Sequence, residues 1–492
     1  MSQNNTKSTP RNRPQQRRRR RCVAVFCGLL LSAAAAVTLA QQNLPNMGEP
    51  ADSTLSPLQE QAMGAGFMRQ IRASVPLIRD VQLQEYIKNL GNRLALASGK
   101  TANTQFTFFI VEDKAINAFA IPGGYVGVNV GLIDAMELEG QLAAVMAHEV
   151  AHVTQRHHAR SFALGTRNNM SAAAAILAAI VIGQASPQAG QAALAAGLAA
   201  TQQSAVNFTR ANEVEADRIG IEILANAQYS ASSMAESFSI LRRKNRLNTS
   251  AGALEYLRTH PLDNNRIAEA RDRASTQTAY DSSQQTDYQL FKARLAVLTE
   301  KNSGQLLQRF KASFNKRPDI ANTYGLSLLM LRENRLDQAK RYTEELKKLT
   351  GHHFITQLLE ADLLLAQNKH LQASSKLQTL IELNPDRYSA VEKQIALLVR
   401  ERKLSDAKNL AKQYLRSAEQ AKPRAWRELA SIQQQLGDQA ASHESLAQYF
   451  IGMNELLKAQ SQLKLALRHV ETASQDELRL QASLKNLLSR PY

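Results

Sequence analysis

The chain has 492 residues, of which 44% are hydrophobic and 21% charged. That is ordinary globular composition, and it excludes a disordered tail protein and a collagen-like fibre. The formal net charge of +17 would suit a nucleic-acid binder, but Lys7, Arg11, Arg13 and Arg17 to Arg21 all lie in the first forty residues, with no acidic residue beside them. The excess left over the rest of the chain is mild, so no nucleic-acid partner is expected.

Residues 1–40 read as a targeting segment. A basic run ending at Arg21 meets an apolar stretch from Val23 to Ala40, with small residues at Thr38 and Ala40 before Gln41. That is the layout of a secretory signal peptide. The competing reading is a retained membrane anchor, because the apolar run approaches the ~20 residues that span a bilayer. Both cysteines, Cys22 and Cys27, fall inside this segment. The exported chain would then have neither a disulfide nor a thiolate metal site.

Residues 41–58 contain Pro45, Pro50 and Pro57 and read as an N-terminal arm. Residues 59–270 form the first folded region. Gln105 to Val111 and Tyr125 to Val130 are β-type runs, with Pro122-Gly123-Gly124 as a turn between them. From Leu138 to Ser161 the apolar spacing becomes helical. Two Ala-rich stretches, Ser171 to Ile182 and Ala189 to Ala200, are each too short to span a bilayer. They predict a helical hairpin that is buried or covers a cleft, with peripheral membrane contact as the weaker option. Residues 271–289, rich in Ser, Thr and Gln, read as a linker.

Residues 290–492 are helical in pattern and repeat. Ala339, Ala373, Ala407 and Ala441 recur every 34 positions, and Leu346, Leu380 and Tyr414 keep the same step. Asn334 and Asn368 mark one inter-helix turn. A 34-residue period with small residues at helix crossings resembles the tetratricopeptide repeat, whose stacked pairs form a partner-binding groove.

The chemistry lies at His148-Glu149-Val150-Ala151-His152. On a helix, positions i and i+4 share a face, so both imidazoles can reach one ion. Neutral imidazole is a good zinc ligand, and a catalytic zinc needs a third protein ligand while keeping one position for water. Glu149, one residue along, is placed to act as general base. His157 and His158 follow His152 by five and six residues, which rotates them off the ligand face of a continuing helix, so they read as a solvated helix end. Asn212-Glu213-Val214-Glu215-Ala216-Asp217 is the better source of a third ligand. Spacing leaves Glu213 and Glu215 both open, and Asp217 could orient a ligand histidine.

The ordered strings Asn117 to Gly124, HEVAH, and Phe208 to Asp217 together resemble peptidase family M48, the gluzincins that include the CAAX prenyl proteases. The resemblance implies an α+β zincin-type metallopeptidase domain followed here by an all-α tetratricopeptide-like helical repeat domain. It implies one Zn2+ per chain held by His148, His152 and Glu213, with Glu149 as base and Asp217 behind the ligands or donating a proton. Thr259-His260-Pro261 matches the family's T-H-P string. By the same resemblance His260 can occupy the open position of the zinc and hold the enzyme off; the plainer reading is a turn histidine fixed by Pro261.

An export signal and repeats added to such a protease imply a periplasmic endopeptidase. It would degrade unfolded or misassembled outer-membrane proteins and dock on the barrel-assembly machinery through the repeats. The rival reading is a chaperone or scaffold with latent protease activity. Gly124, Tyr125, Val126 and Gly127 are expected to present a strand edge that holds an extended substrate by backbone hydrogen bonds.

Overall fold

A computed structural model describes residues 55–100, 105–166, 202–247, 254–276, 285–416 and 422–489. The expected signal, most of the N-terminal arm and the Ala-rich hairpin lie outside the described residues. Among the described residues, no helix is long and apolar enough to cross a membrane.

The first half is built on two capped helices and a small sheet. In α1 (Pro57–Ser74), Ser56 and Gln59 cap each other reciprocally, satisfying amides that the first turn leaves open. Asp80 caps α2 (Val81–Ala97) by accepting from the Leu83 amide at 3.1 Å. Three strands follow: β1 (Thr107–Val111), β2 (Ala118–Ile121) and β3 (Tyr125–Asn129).

The order across the sheet is β1-β3-β2, with β3 parallel to β1 and antiparallel to β2. Gly127, in the middle of β3, sits under two rings. A Cβ there would lie 2.5 Å from Phe119 and 2.9 Å from Phe109, so only glycine lets these rings close over the central strand.

A short helix α3 (Val130–Ala135) leads into α4 (Glu139–Thr154), which carries HEVAH. Every residue from Gly140 to His152 is buried. A helix apolar on all sides belongs inside a core, and α4 is packed between α2, β2 and the later helices α6 (Gln202–Asn226) and α7 (Ser232–Leu247). Between them runs α5 (His157–Thr166), while α8 (Glu255–Thr259) and α9 (Asn264–Ser275) close this half.

From α10 (Thr286–Thr299) onward every element among the described residues is a helix. After α11 (Ser303–Lys316), pairs follow in register: α12 (Ile320–Arg332) with α13 (Leu336–Thr350), α14 (Phe354–Ala366) with α15 (His370–Leu383), α16 (Tyr388–Arg400) with α17 (Leu404–Arg416), and α18 (Pro423–Gln435) with α19 (Gln439–Gly452). Finally come α20 (Leu456–Leu467) and α21 (Gln475–Leu488).

Ala339, Ala373 and Ala407 are fully buried at the fourth position of the second helix of each pair. In the next pair that position is Ser442, buried and donating to the Ala430 carbonyl at 2.9 Å, while Ala441 is only partly buried. The 34-residue step therefore slips by one at the last pair. The left-handed turn residues record the same slip: Asn334, Asn368 and Arg402 are followed by Gly437.

The first helices of the pairs face α2. Ser389, at the start of α16, donates to Glu85 from its amide at 2.8 Å and its hydroxyl at 2.7 Å. Arg294 of α10 binds Asp80 with two bonds of 2.7 and 2.8 Å. Val81 shares a core with Tyr388, Val391 and Leu429. Tyr86 stacks on Phe291 at 4.1 Å. Part of the repeat surface expected to be a free groove is thus occupied by the chain's own protease half.

Candidate metal centre and active site

Helix α4 presents His148 and His152 one turn apart, and α6 crosses it to bring Glu213 and Asp217 alongside. The crossing is close because of Gly220: a Cβ there would sit 3.3 Å from the His148 backbone nitrogen and 2.9 Å from the Met234 methyl. Ala216, fully buried on the same face of α6, helps the two backbones approach.

Ligating atoms of His148, His152, Glu213 and His260 all lie within 4.8 Å of one another. The two Nε2 atoms of His148 and His152 are 2.9 Å apart. Glu213 reaches each of them at 3.4 Å. Behind His148, Asp217 Oδ1 lies 2.9 Å from Nδ1. A carboxylate there keeps the ring hydrogen on Nδ1 and turns the Nε2 lone pair into the cluster. Bare nitrogens and a carboxylate pointing at one small volume are a donor set made for a cation, and an N2O set of this kind suits a transition metal or zinc.

The electrostatics agree. Burial opposes charge on His148, but the carboxylates of Asp217 and Glu213, which accept from its ring, outweigh it and lift its pKa to about 10. His152, buried without a carboxylate of its own, is pushed down to about 3 despite its contact with Glu213. Glu213 is pushed up by burial and pulled further down by His260, His148 and His152, ending well below the usual carboxylate range. Arg266 completes the cluster, with two bonds of 2.7 Å to Asp217 and a 3.0 Å contact to Glu213 Oε2.

Glu149 is 1% exposed. Its Oε1 makes no hydrogen bond among the described residues and faces His260 Nε2 at 3.4 Å. An ionisable oxygen buried without a hydrogen bond costs stability, and such costs are concentrated at functional positions. His260 caps the end of α8. Its Nδ1 lies 3.0 Å from Glu213 Oε1 and 3.3 Å from His148 Nε2, so it closes the same cluster.

Residues 81–274 match the model of peptidase family M48. The "Beta-barrel assembly-enhancing protease" of Escherichia coli O157:H7 is 37% identical over 367 residues, covering 72% of this chain and 75% of that protein. The chain belongs to peptidase family M48. The "Putative beta-barrel assembly-enhancing protease" of Vibrio cholerae is 38% identical, covering 66% of this chain and 68% of its own length. "Metalloprotease LoiP" of Escherichia coli K12 is 31% identical over 194 residues, covering 39% of this chain and 71% of LoiP.

As an M48 enzyme the chain is a metal-dependent endopeptidase, an α+β protease domain followed by tetratricopeptide-like helices, and it acts on protein substrates or partners. His148, Glu149, His152, Glu213, Asp217 and His260 are brought into one cluster. Glu215, left open by spacing, points to the other side of α6, where it meets His157 and Arg160.

Two sequence expectations are corrected. Gly124, Tyr125, Val126 and Gly127 do not form an exposed edge: Gly124 is in the turn and the other three are in β3, whose two sides are taken by β1 and β2. Periodicity found two strands and missed β2, so the strand next to the turn was placed at the margin it does not occupy. Among the described residues the outer strands are β1, which also bridges to Leu77, and β2, which has no strand on its outer side.

His157 is not a solvated helix end either. It is buried, with Nδ1 2.8 Å from His152 Nδ1. The i+5 argument assumed a continuing helix, but α4 stops at Thr154 and Arg156 turns the chain back at φ 52°. Burial and the neighbouring His152 hold the His157 pKa down to about 2. His158 is partly buried, and burial lowers it to about 4.

Arg266 and Tyr256 were not legible. Tyr256 is 1% exposed and lies under His260, with ring centroids 4.7 Å apart. Its spacing four residues before His260 was the only available signal.

Proposed function

We propose that the protein is a periplasmic zinc endopeptidase that degrades unfolded or misassembled outer-membrane β-barrel proteins and works beside the barrel-assembly machinery. The observation that carries this reading is the convergence of His148, His152, Glu213 and His260, with the Glu149 oxygen that makes no hydrogen bond lying 3.4 Å from His260. The names of the relatives supply the substrate class. On this reading residues 1–40 are an export signal, residues 59–270 the protease, residues 271–289 a linker and residues 290–492 the docking module.

His148, His152 and Glu213 would hold the ion, which when bound polarises a scissile carbonyl and acidifies a water. Glu149 takes the proton of the attacking water and returns it to the leaving amine. Asp217 fixes the orientation of His148, and Arg266 keeps Asp217 and Glu213 ionised and in place. Among the described residues β2, Ala118–Ile121, has no strand on its outer side, but it is buried and His158 bonds the Ala120 backbone, so it would pair with an extended substrate only after that cover moves. His260 stands between Glu149 and the ligand cluster, where a water or substrate must enter, so the resting enzyme is held off until α8 moves.

That placement of His260 also favours the second reading, a scaffold for barrel assembly whose protease is normally latent. The test uses the exported chain with zinc and an unfolded outer-membrane β-barrel protein. Cleavage that disappears with Glu149→Gln and with a chelator, and rises with His260→Ala, supports the protease. Absence of cleavage by all three proteins while zinc is bound moves the scaffold ahead, as would full complementation in cells by Glu149→Gln.

A further inference from the structure

His152 Nδ1 and His157 Nδ1 are 2.8 Å apart and buried, so they share one hydrogen: one nitrogen donates and the other accepts. Which does which is settled from the far end. His157 Nε2 lies 3.2 Å from Glu215 Oε2, and the same carboxylate oxygen accepts from Arg160 Nη2 at 2.8 Å. A carboxylate can only accept, so the His157 hydrogen is on Nε2 and its Nδ1 is bare. His152 must then carry its hydrogen on Nδ1. Its Nε2, 2.9 Å from His148 Nε2 and 3.4 Å from Glu213 Oε1, is left with a lone pair facing the cluster.

We propose that Arg160, Glu215 and His157 form a positioning relay that fixes His152 in the tautomer able to bind the metal. The inference rests on the reading of His148, His152 and Glu213 as ligands and deepens it. None of the three relay residues touches the ligand cluster except through His152. Asp217 does the same service for His148, but directly and with a full negative charge. The two histidine ligands are therefore unequal: the carboxylate makes His148 the stronger donor, and the neutral His157 ring leaves His152 the weaker one. The fold pays for this with the reversal at Arg156, without which the ring at position 157 would point away from His152.

The test is zinc affinity of the full chain, measured by competition with a chromophoric chelator. The visible spectrum of the cobalt(II)-loaded protein and the urea midpoint of the metal-free protein are followed in parallel. His157→Leu removes the acceptor and is expected to raise the zinc Kd about 10- to 100-fold and shift the cobalt bands. His157→Gln supplies an amide oxygen and recovers most of that affinity; Glu215→Gln loses only a few-fold, because its amide oxygen still accepts. If His157→Leu does not fold, Glu215→Leu carries the test: without its acceptor the His157 hydrogen is free to move to Nδ1, and zinc affinity is expected to fall about tenfold. Zinc affinity and cobalt spectra identical to wild type in folded variants overturn the relay while leaving the metal site intact. A wild-type chain that binds no zinc overturns both.

Discussion

Arg266 grips Asp217 with two hydrogen bonds of 2.7 Å while touching Glu213 at 3.0 Å, so one guanidinium neutralises both carboxylates that α6 sends towards the metal centre. All three groups are buried. Replacing Arg266 by Met leaves two carboxylates without their partner in a dry site, and the expected cost is about 3–5 kcal/mol in urea denaturation of the metal-free protein. Arg266→Lys is expected to recover less than half, since an ammonium cannot make the paired bonds. A Met variant as stable as wild type would show that the clamp is dispensable.

Glu149 Oε1 makes no hydrogen bond among the described residues and faces His260 at 3.4 Å. Glu149→Gln is isosteric, so metal content and unfolding midpoint should stay close to wild type, while kcat falls by about 10²–10⁴-fold. Steady-state cleavage of an unfolded protein, with zinc content measured on the same sample, separates this from loss of the ion. A kcat within threefold of wild type would remove Glu149 from the chemistry.

Gly220 governs how closely α6 approaches His148. Gly220→Ala places a methyl group 3.3 Å from the His148 nitrogen, so one helix must give by a few tenths of an ångström. Helix propensity alone would make this change favourable by about 1 kcal/mol. The expected result is the opposite sign, with lower thermal stability and weaker zinc binding. Calorimetry with and without metal checks both.

The Asp80–Arg294 pair supplies a pH signature. Burial pushes the Asp80 carboxyl up, but the Arg294 hydrogen bonds and charge outweigh it and hold it below the ordinary value. A depressed carboxyl contributes stability that is present above its unfolded pKa and lost as pH falls through its folded one. The contribution is therefore full at pH 7, begins to fall below about pH 4 and is gone only once pH passes the depressed folded value. Asp80→Asn keeps the helix cap, because Asn serves there as well as Asp. The gap in urea midpoint between wild type and Asp80→Asn should be clear at pH 7 and narrow steadily as pH falls below about 4; a gap independent of pH would assign it to packing.

Much of this architecture could be read before folding. HEVAH and the acidic string declared themselves because i, i+4 spacing maps directly onto a helix face, and Ala339, Ala373 and Ala407 because identical crossings demand identical small residues. What escaped depends on where the chain turns back. One left-handed residue, Arg156, converts His157 from a solvent-facing position into a neighbour of His152. The sheet order hides the same way: β2 is too short to stand out from its motif, yet its pairing decides that Tyr125 to Gly127 are interior. Arg266 is invisible because its two partners lie 49 and 53 positions earlier, and its position in the sequence does not announce the clamp.

The grip of the repeats on the protease half bears on when the enzyme matures. Arg72 of α1 donates to the Met453 carbonyl across 381 residues, and Glu85 waits for Ser389 across 304. A chain emerging from its N-terminus has the whole metal cluster by residue 266, yet Glu85 of its second helix meets Ser389 only about 120 residues later and Arg72 of its first helix meets Met453 later still. Catalytic parts come first and their brace last.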